Sequence, residues 1–232
     1  MECPLPARVI DLGLRDYGEV WQTQLELVAA RQRGDVPDTL LLVEHPHVLT
    51  MGRRTKRENL LAPAADMPLF EIERGGDVTY HGPGQLVAYP LFLLRLEERD
   101  LHLYLRDLQE TLIRTLAAFG VPAGRRAGWT GAWTAEPPPR KLASIGVAVK
   151  KWVTMHGIAL NVSTDLSRFA AINPCGLDAA VMASISSCRG KSVTIDEVAP
   201  QLVRDFGDVF GRSFEEVSDD SQPGTASTHR SR

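Results

Sequence analysis

The chain is poor in cysteine, with only Cys3, Cys175 and Cys188 among its 232 residues. An odd number in a chain of this size argues against a disulfide framework, because so large a core folds without covalent staples. No Cys-x-x-Cys or Cys/His spacing occurs, which speaks against a structural zinc site. No apolar run nears the ~18–20 residues that cross a bilayer, so no membrane-spanning helix is expected. The opening Met1-Glu2-Cys3-Pro4-Leu5-Pro6 lacks the basic-then-apolar order of a secretory signal. The expected setting is the reducing cytoplasm. Neither GxGxxG nor GxxxxGK[ST] is present, so no dinucleotide or Walker loop is marked. An excess of one charge is missing too. Twenty-six Lys+Arg against 29 Asp+Glu give −3, without the basic surplus of a nucleic-acid binder.

The chain does have enough apolar surface for a packed core. Its 44% hydrophobic and 24% charged residues are ordinary globular usage and can offset the entropy of ordering the backbone. Residues 1–217 read as a single domain. The stretch 218–232, rich in Ser, Asp and Thr without apolar periodicity, reads as a disordered tail. Apolar positions at three- and four-residue steps predict helices over 17–33 and 101–119, the second stopped by Gly120. A third helix, 195–210, is opened by the capping pattern Thr194-x-x-Glu197. Short strands are expected at 7–12 and 39–44, with 47–51 continuing the same sheet. Alternation over 141–162 predicts a hairpin, although no Asn-Gly turn marks it. The class is α/β or α+β: a mixed sheet flanked by helices.

Four segments stand out. Arg74-Gly75-Gly76-Asp77-Val78-Thr79-Tyr80-His81-Gly82-Pro83-Gly84-Gln85 places four glycines among polar side chains, a backbone able to bend closely around a ligand or to form a tight hairpin. Lys141, in Arg140-Lys141-Leu142-Ala143-Ser144-Ile145-Gly146, opens an apolar strand and either faces a pocket or gates a solvated edge. In His156-Gly157-Ile158-Ala159-Leu160-Asn161 a glycine interrupts a strand, the mark of a close approach or of a bulge. Asn173-Pro174-Cys175-Gly176 holds a thiol on a turn, a setting suited to nucleophilic attack. Such a thiol needs help at neutral pH. His81 and His156 are possible bases. Lys141 is the sharper candidate, lowering the thiol's pKa as an ammonium or taking its proton as an amine. Cys188 reads as a small apolar core side chain and Cys3 as incidental.

Together these segments resemble the signature of the lipoyl(octanoyl) transferases. Arg74 to Pro90, Glu44-His45-Pro46, Gly131-Ala132-Trp133, Arg140 to Gly146, His156 to Asn161 and Asn173 to Gly176 occur in that family's order, across roughly residues 8 to 212. The resemblance implies the α/β catalytic domain shared with biotin protein ligases and lipoate ligases. It implies transfer of an octanoyl group from the phosphopantetheine thioester of acyl carrier protein to a lysine of a lipoyl domain, with no cofactor, metal or ATP. Acceptors would be lipoyl domains of 2-oxoacid dehydrogenase complexes and the glycine cleavage H protein. A monomer is expected, with no nucleic-acid or membrane partner. By the same resemblance Cys175 is the nucleophile and Lys141 lowers its pKa. Arg74, Gly75, Gly76, Asp77, Val78, Thr79, Tyr80 and His81, then Ser144, Ile145 and Gly146, then Gly157, Ile158 and Ala159 match substrate-contacting segments.

One stretch departs from the family pattern. Where a Thr-Ser pair is usual, the chain has Ala183-Ser184, so Ser184 alone would have to support the active-site turn. Arg53-Arg54-Thr55-Lys56-Arg57 is the densest basic run and is expected to meet acidic partners, whereas Arg125-Arg126 and Lys150-Lys151 read as solvated pairs. Competing readings are an ATP-dependent ligase of the same fold, a non-catalytic carrier-binding module and a thioesterase.

Overall fold

A computed structural model describes residues 4–61, 67–173 and 181–217. Cys3, Cys175 and the 218–232 tail therefore lie outside the described residues. The elements run β1 (Leu5–Leu14), α1 (Tyr17–Arg33), β2 (Asp38–Glu44), β3 (Val48–Met51), β4 (Leu69–Glu71), β5 (Thr79–His81) and β6 (Gln85–Leu91). They continue with α2 (Leu101–Ala118), β7 (Ala123–Arg126), β8 (Trp129–Thr134), β9 (Lys141–Lys150), β10 (Val153–Asn161), α3 (Ile185–Arg189), α4 (Ile195–Phe210) and β11 (Arg212–Glu216). Eight strands form one mixed sheet in the order β11-β1-β2-β6-β10-β9-β8-β7, and β4-β3-β5 form a second, smaller one. β1 runs parallel to both neighbours, and the other pairings in the large sheet are antiparallel.

Local chemistry sets the helix ends. The Asp16 carboxylate accepts from Gly18 and Glu19 N–H at the start of α1, and Gly34 closes it at φ 82°. Asp100 caps α2 in the same way. Thr194 and Glu197 form the capping box at α4. α2 and α4 cover one face of the large sheet, packing Leu108, Leu112, Leu202 and Phe206 on Leu86, Ala143 and Ile158. α1 covers the other face through Val20, Leu27 and Val28 against Leu41, Val87 and Met155.

The strand over 48–51 does not continue the large sheet, as the sequence had suggested. β3 pairs with β4 and β5 instead. The chain leaves β2 at His45-Pro46: Pro46 has no N–H for a ladder, and the buried His45 ring is bonded to Arg15 O and the Tyr89 hydroxyl. β1 is also longer than the apolar run 7–12, extending at both ends with a register shift between Asp11 and Leu14. The β9–β10 hairpin exists without an Asn-Gly signal. Its turn residues Lys151 and Trp152 both take positive φ, 49° and 65°, the sense that matches strand twist. Trp152 is held there by a hydrogen bond from Leu94 N–H to its carbonyl and by the Arg99 guanidinium over its ring.

Candidate active site

A cleft lies where the loop before β5 meets strands β9 and β10, with about 610 Å³ of empty space including its open mouth. Of the residues singled out in the sequence, Arg74, Gly76, Asp77, Val78, Thr79 and His81 line it from the loop and β5. Lys141, Ser144, Ile145 and Gly146 line it from β9, and Gly157, Ile158 and Ala159 from β10. Gly75 and Tyr80 do not line it. Gly75 N–H bonds the Val147 carbonyl and ties the loop to β9. Tyr80 is buried toward the smaller sheet, its hydroxyl against His47 Nδ1 and its ring edge-on to Phe169. Tyr17, Val87, Tyr89 and Thr130 also line the cleft; Val87 and Tyr89 fall within the resembling stretch Arg74 to Pro90, but none of the four was named as a contact. They sit in a helix stripe and in alternating strands, and no sequence pattern separates them from core.

Arg74 holds the loop in shape. Its fork donates to the carbonyls of Gly75, Asp77 and Thr50 and to the Thr50 hydroxyl, at 2.7–3.1 Å. Asp77 accepts from its neighbour Val78 N–H and from the Asn59 side chain. The loop is therefore fixed before any ligand arrives, which removes an ordering cost at binding.

Lys141 reaches the cleft through a β-bulge. Ala132 pairs with Ala143 and Trp133 with Lys141, so β9 carries one extra residue at that point. Leu142 and Ala143 both pack into the α2/α4 core, and Lys141 is turned to the face that carries Ser144 and Gly146. Its side chain is 5% exposed and its Nζ lies 5.7 Å from the Trp133 ring centroid. A solvated edge lysine is excluded.

Three buried imidazoles and two tyrosines gather around the cleft wall opposite. His81 stacks on Tyr17 at 5.9 Å, and His45 lies 5.1 Å from the same ring. Burial first, then the proximity of His45, takes the pKa of His81 down to about 3. Burial takes His45 to about 4. Both are neutral at physiological pH. His81 Nδ1–H donates to Gln85 Oε1, and Gln85 Nε2 donates to Asn161 Oδ1. Asn161 Nδ2 then donates to Ala183 O, and Ala183 N–H returns to Lys141 O. A continuous buried chain of hydrogen bonds thus joins His81 to the strand that carries Lys141. His156 is 2% exposed, its pKa lowered by burial against the pull of Glu73. It adopts a φ of 57°, its N–H bonded to Gln24 Oε1, and its Nε2 is 3.5 Å from Glu73. Gly157 follows in a position where a Cβ would sit 2.2 Å from the Ala88 carbonyl oxygen, so only glycine fits.

The departure at Ala183 is met by backbone. Ala183 is completely buried and held at both its N–H and its C=O. The Ser184 hydroxyl instead accepts from Ser187 N–H as the cap of α3. Cys188 is half-buried at the edge of the core, with Arg140 Nη2 3.7 Å from its sulfur. Among the described residues no group of three or more His, Cys, Asp or Glu side chains is placed to hold a metal ion.

Residues 16–207 match the model of the lipoyl protein ligase A/B catalytic domain. The octanoyltransferase of Geobacter metallireducens is 50% identical over 196 residues, covering 84% of this chain and 90% of that one. That of Koribacter versatilis is 45% identical over 210 residues, covering 88% and 84%. The chain belongs to this family. It is an acyltransferase of the octanoyltransferase group within it. Solved structures agree in fold. A lipoate-protein ligase A bound with ATP superposes with a TM-score of 0.74 at 19% identity, covering 92% of this chain and 89% of that one. A biotin protein ligase from Aquifex aeolicus gives 0.50 at 12% identity, covering 89% and 69%. The mixed sheet flanked by helices is thus the ligase fold. No described helix is long and apolar enough to cross a membrane.

Proposed function

We propose that the chain moves an octanoyl group from acyl carrier protein to a lysine of a lipoyl domain, by way of a thioester on Cys175. Acceptors are lipoyl domains of 2-oxoacid dehydrogenase complexes and the glycine cleavage H protein, and the enzyme acts as a cytoplasmic monomer. The observation that carries this reading is the buried Lys141 in a cleft walled by Val78, Val87, Ile145, Ile158 and Ala159. An eight-carbon tail on such a wall gains roughly 0.8 kcal/mol per buried methylene. Two neighbours of the Cys175 segment support it further: Asn173 N–H bonds Asn59 O, and Met182 bridges Lys141.

The thiolate of Cys175 attacks the donor's thioester carbonyl, and the tetrahedral oxyanion collapses with loss of the phosphopantetheine thiolate. That leaving thiolate takes a proton from the Lys141 ammonium. In the second half the acceptor's neutral amine attacks the acyl-enzyme, the Cys175 thiolate leaves, and Lys141 takes the amine's proton. The lysine ends as it began. Thioester exchange is nearly isoenergetic and amide formation is downhill, so ATP is not required. Backbone N–H groups of the glycine-rich loop are the natural donors to the oxyanion.

Intact-mass spectrometry tests this directly. Octanoyl-acyl carrier protein alone should leave one octanoyl group on the wild-type chain and none on Cys175→Ala. Adding apo-lipoyl domain should clear the adduct and octanoylate the domain. An undiminished adduct on Cys175→Ala, or turnover that needs ATP and magnesium, would overturn the reading.

A further inference from the structure

The Gly131-Ala132-Trp133 segment lines up beside Lys141 in a way that the acyl-transfer scheme leaves unused. Trp133 is directly opposite Lys141 in the β8–β9 register, and the bulge at Leu142–Ala143 brings both side chains to one face. The indole is 1% exposed. Lys141 Nζ lies over it at 5.7 Å from the centroid, within the range at which a ring's negative face attracts a cation. Gly131 governs the stem of the same lysine. At φ 109° it leaves empty a position where a Cβ would be 2.1 Å from Ala143 O and 3.1 Å from Lys141 Cε. Gln109 Nε2 holds the Gly131 carbonyl at 3.1 Å and so pins the segment to α2.

We propose that Trp133 is a positioning residue whose ring face holds the Lys141 ammonium and favours its charged form. The proposal rests on Lys141 carrying the proton in acyl transfer. A ring face attracts the charge but cannot accept the proton, so it orients Nζ without trapping it in one state. Other charged and titratable groups share the surroundings. Arg126 on β7 lies over the same ring at 4.8 Å and competes for it. Arg74 and Asp77 face the cleft from the loop, and His81 and His156 from β5 and β10. The two histidines, their pKa values lowered by burial, are neutral at the pH of the test.

The test is the titration of Lys141 in the full-length chain, followed by its side-chain Cε resonance. Cys175→Ser serves as the background so that the Cys175 thiol does not titrate with the lysine, and Lys141→Arg assigns the signal. Trp133→Leu should lower the pKa of Lys141 by about half to one unit, and Trp133→Phe by a smaller amount. Replacing tryptophan by its mono-, di- and trifluoro analogues keeps the shape while draining the ring face, and should lower the pKa stepwise. In the Cys175 enzyme, the alkaline limb of acyl-enzyme formation should move down with it. A pKa unchanged across the fluorinated series overturns the proposal, even where Trp133→Leu fails to fold. Failure of the parent scheme looks different: no octanoyl adduct forms on Cys175, whatever Lys141 does.

Discussion

Arg212 and Lys141 are both cations sealed from water, five strands apart in the order of one sheet. Arg212 on β11 is locked by carboxylates: Nε donates to Asp38 at 3.1 Å, and its amino groups bond Glu98. Arg31 reaches the other oxygen of Asp38 at 2.8 Å, and Arg95 reaches Glu98 at 3.0 Å. Burial works against ionised Glu98, yet the bonds from Arg212 and Arg95 take its pKa down to about 2. The network stitches β11, β2 and the turn before α2 together. The cleft holds its polar groups differently. Its histidines are kept neutral, and its lysine rests against an aromatic face. The Arg212 cluster is thus held by opposite charges, whereas the cleft sets an aromatic face beside its cation.

Two substitutions should break this contrast in opposite directions. Lys141→Met should lower turnover by about 10³-fold, within the usual span for a lost acid–base group, while the unfolding midpoint moves little. Steady-state rates and a thermal melt on the same preparation check both halves. Arg212→Met leaves the buried Asp38 and the half-buried Glu98 each short of one of two arginine partners. It should cost about 3–5 kcal/mol, or roughly 10 °C in midpoint for a chain of this size, with the rate per folded molecule preserved. A fast, stable Lys141→Met enzyme would end the comparison.

The two regions also differed in how far the sequence revealed them. The three long helices and the hairpin were legible because apolar spacing and capping residues act locally: Gly120, Thr194 and Glu197 do what their positions predict. The glycine-rich loop and Lys141 were visible as motifs. What puts Lys141 in the cleft was not. It depends on a bulge at Leu142–Ala143 that is defined by the pairing with β8, and alternation alone assigns the wrong face. The separate sheet of β3 was missed for a similar reason, since strand partners are set by long-range contacts and not by propensity. The Lys151–Trp152 turn adopts positive φ without glycine because Leu94 and Arg99 hold it from elsewhere. Tyr17 and Tyr89 look like ordinary core positions until the fold brings them around His45 and His81. The Arg212 network was not foreseen at all, because its members come from three distant stretches of chain.

Acid should separate the clusters by pH. The folded pKa values of His45 and His81, about 4 and about 3, lie below the ordinary 6.5. Between these limits the unfolded chain binds protons that the folded chain refuses, so stability falls as pH falls. Their contribution is complete above pH 6.5 and erodes by up to about 1.4 kcal/mol per pH unit for each group on the way down to about 4. Glu98 holds until lower pH: its depressed pKa gives stability that is present above about 4.5 and lost toward 2. Denaturant midpoints measured from pH 7 to 4 should therefore slope downward, and His81→Gln should flatten that slope by one group's share. A flat profile for the parent over this range would mean that the histidines are not kept neutral by the fold.

The smallest effect concerns how partners find the cleft. Arg53, Arg54, Lys56 and Arg57 are exposed, and Arg53 and Arg54 N–H bond the carbonyls of Arg74 and Gly76 at 3.0 and 3.1 Å. The basic run is thus anchored to the outside of the loop that lines the cleft. The other basic pairs are engaged: Lys150 with Glu73, Arg125 with Glu110, and Arg126 with the Trp133 ring. Among the described residues Lys56 has a loose, exposed contact with Glu58 at 3.7 Å, too weak to withdraw it from a partner. If the run steers an acidic carrier protein, Arg54→Glu with Lys56→Glu should slow association several-fold at low salt and flatten its salt dependence. Dissociation and the rate of acyl transfer from bound carrier should stay unchanged, because rim charges act on encounter more than on the docked complex. Stopped-flow association at two ionic strengths reads this out, and equal on-rates for both proteins at low salt would remove the run from any role in docking.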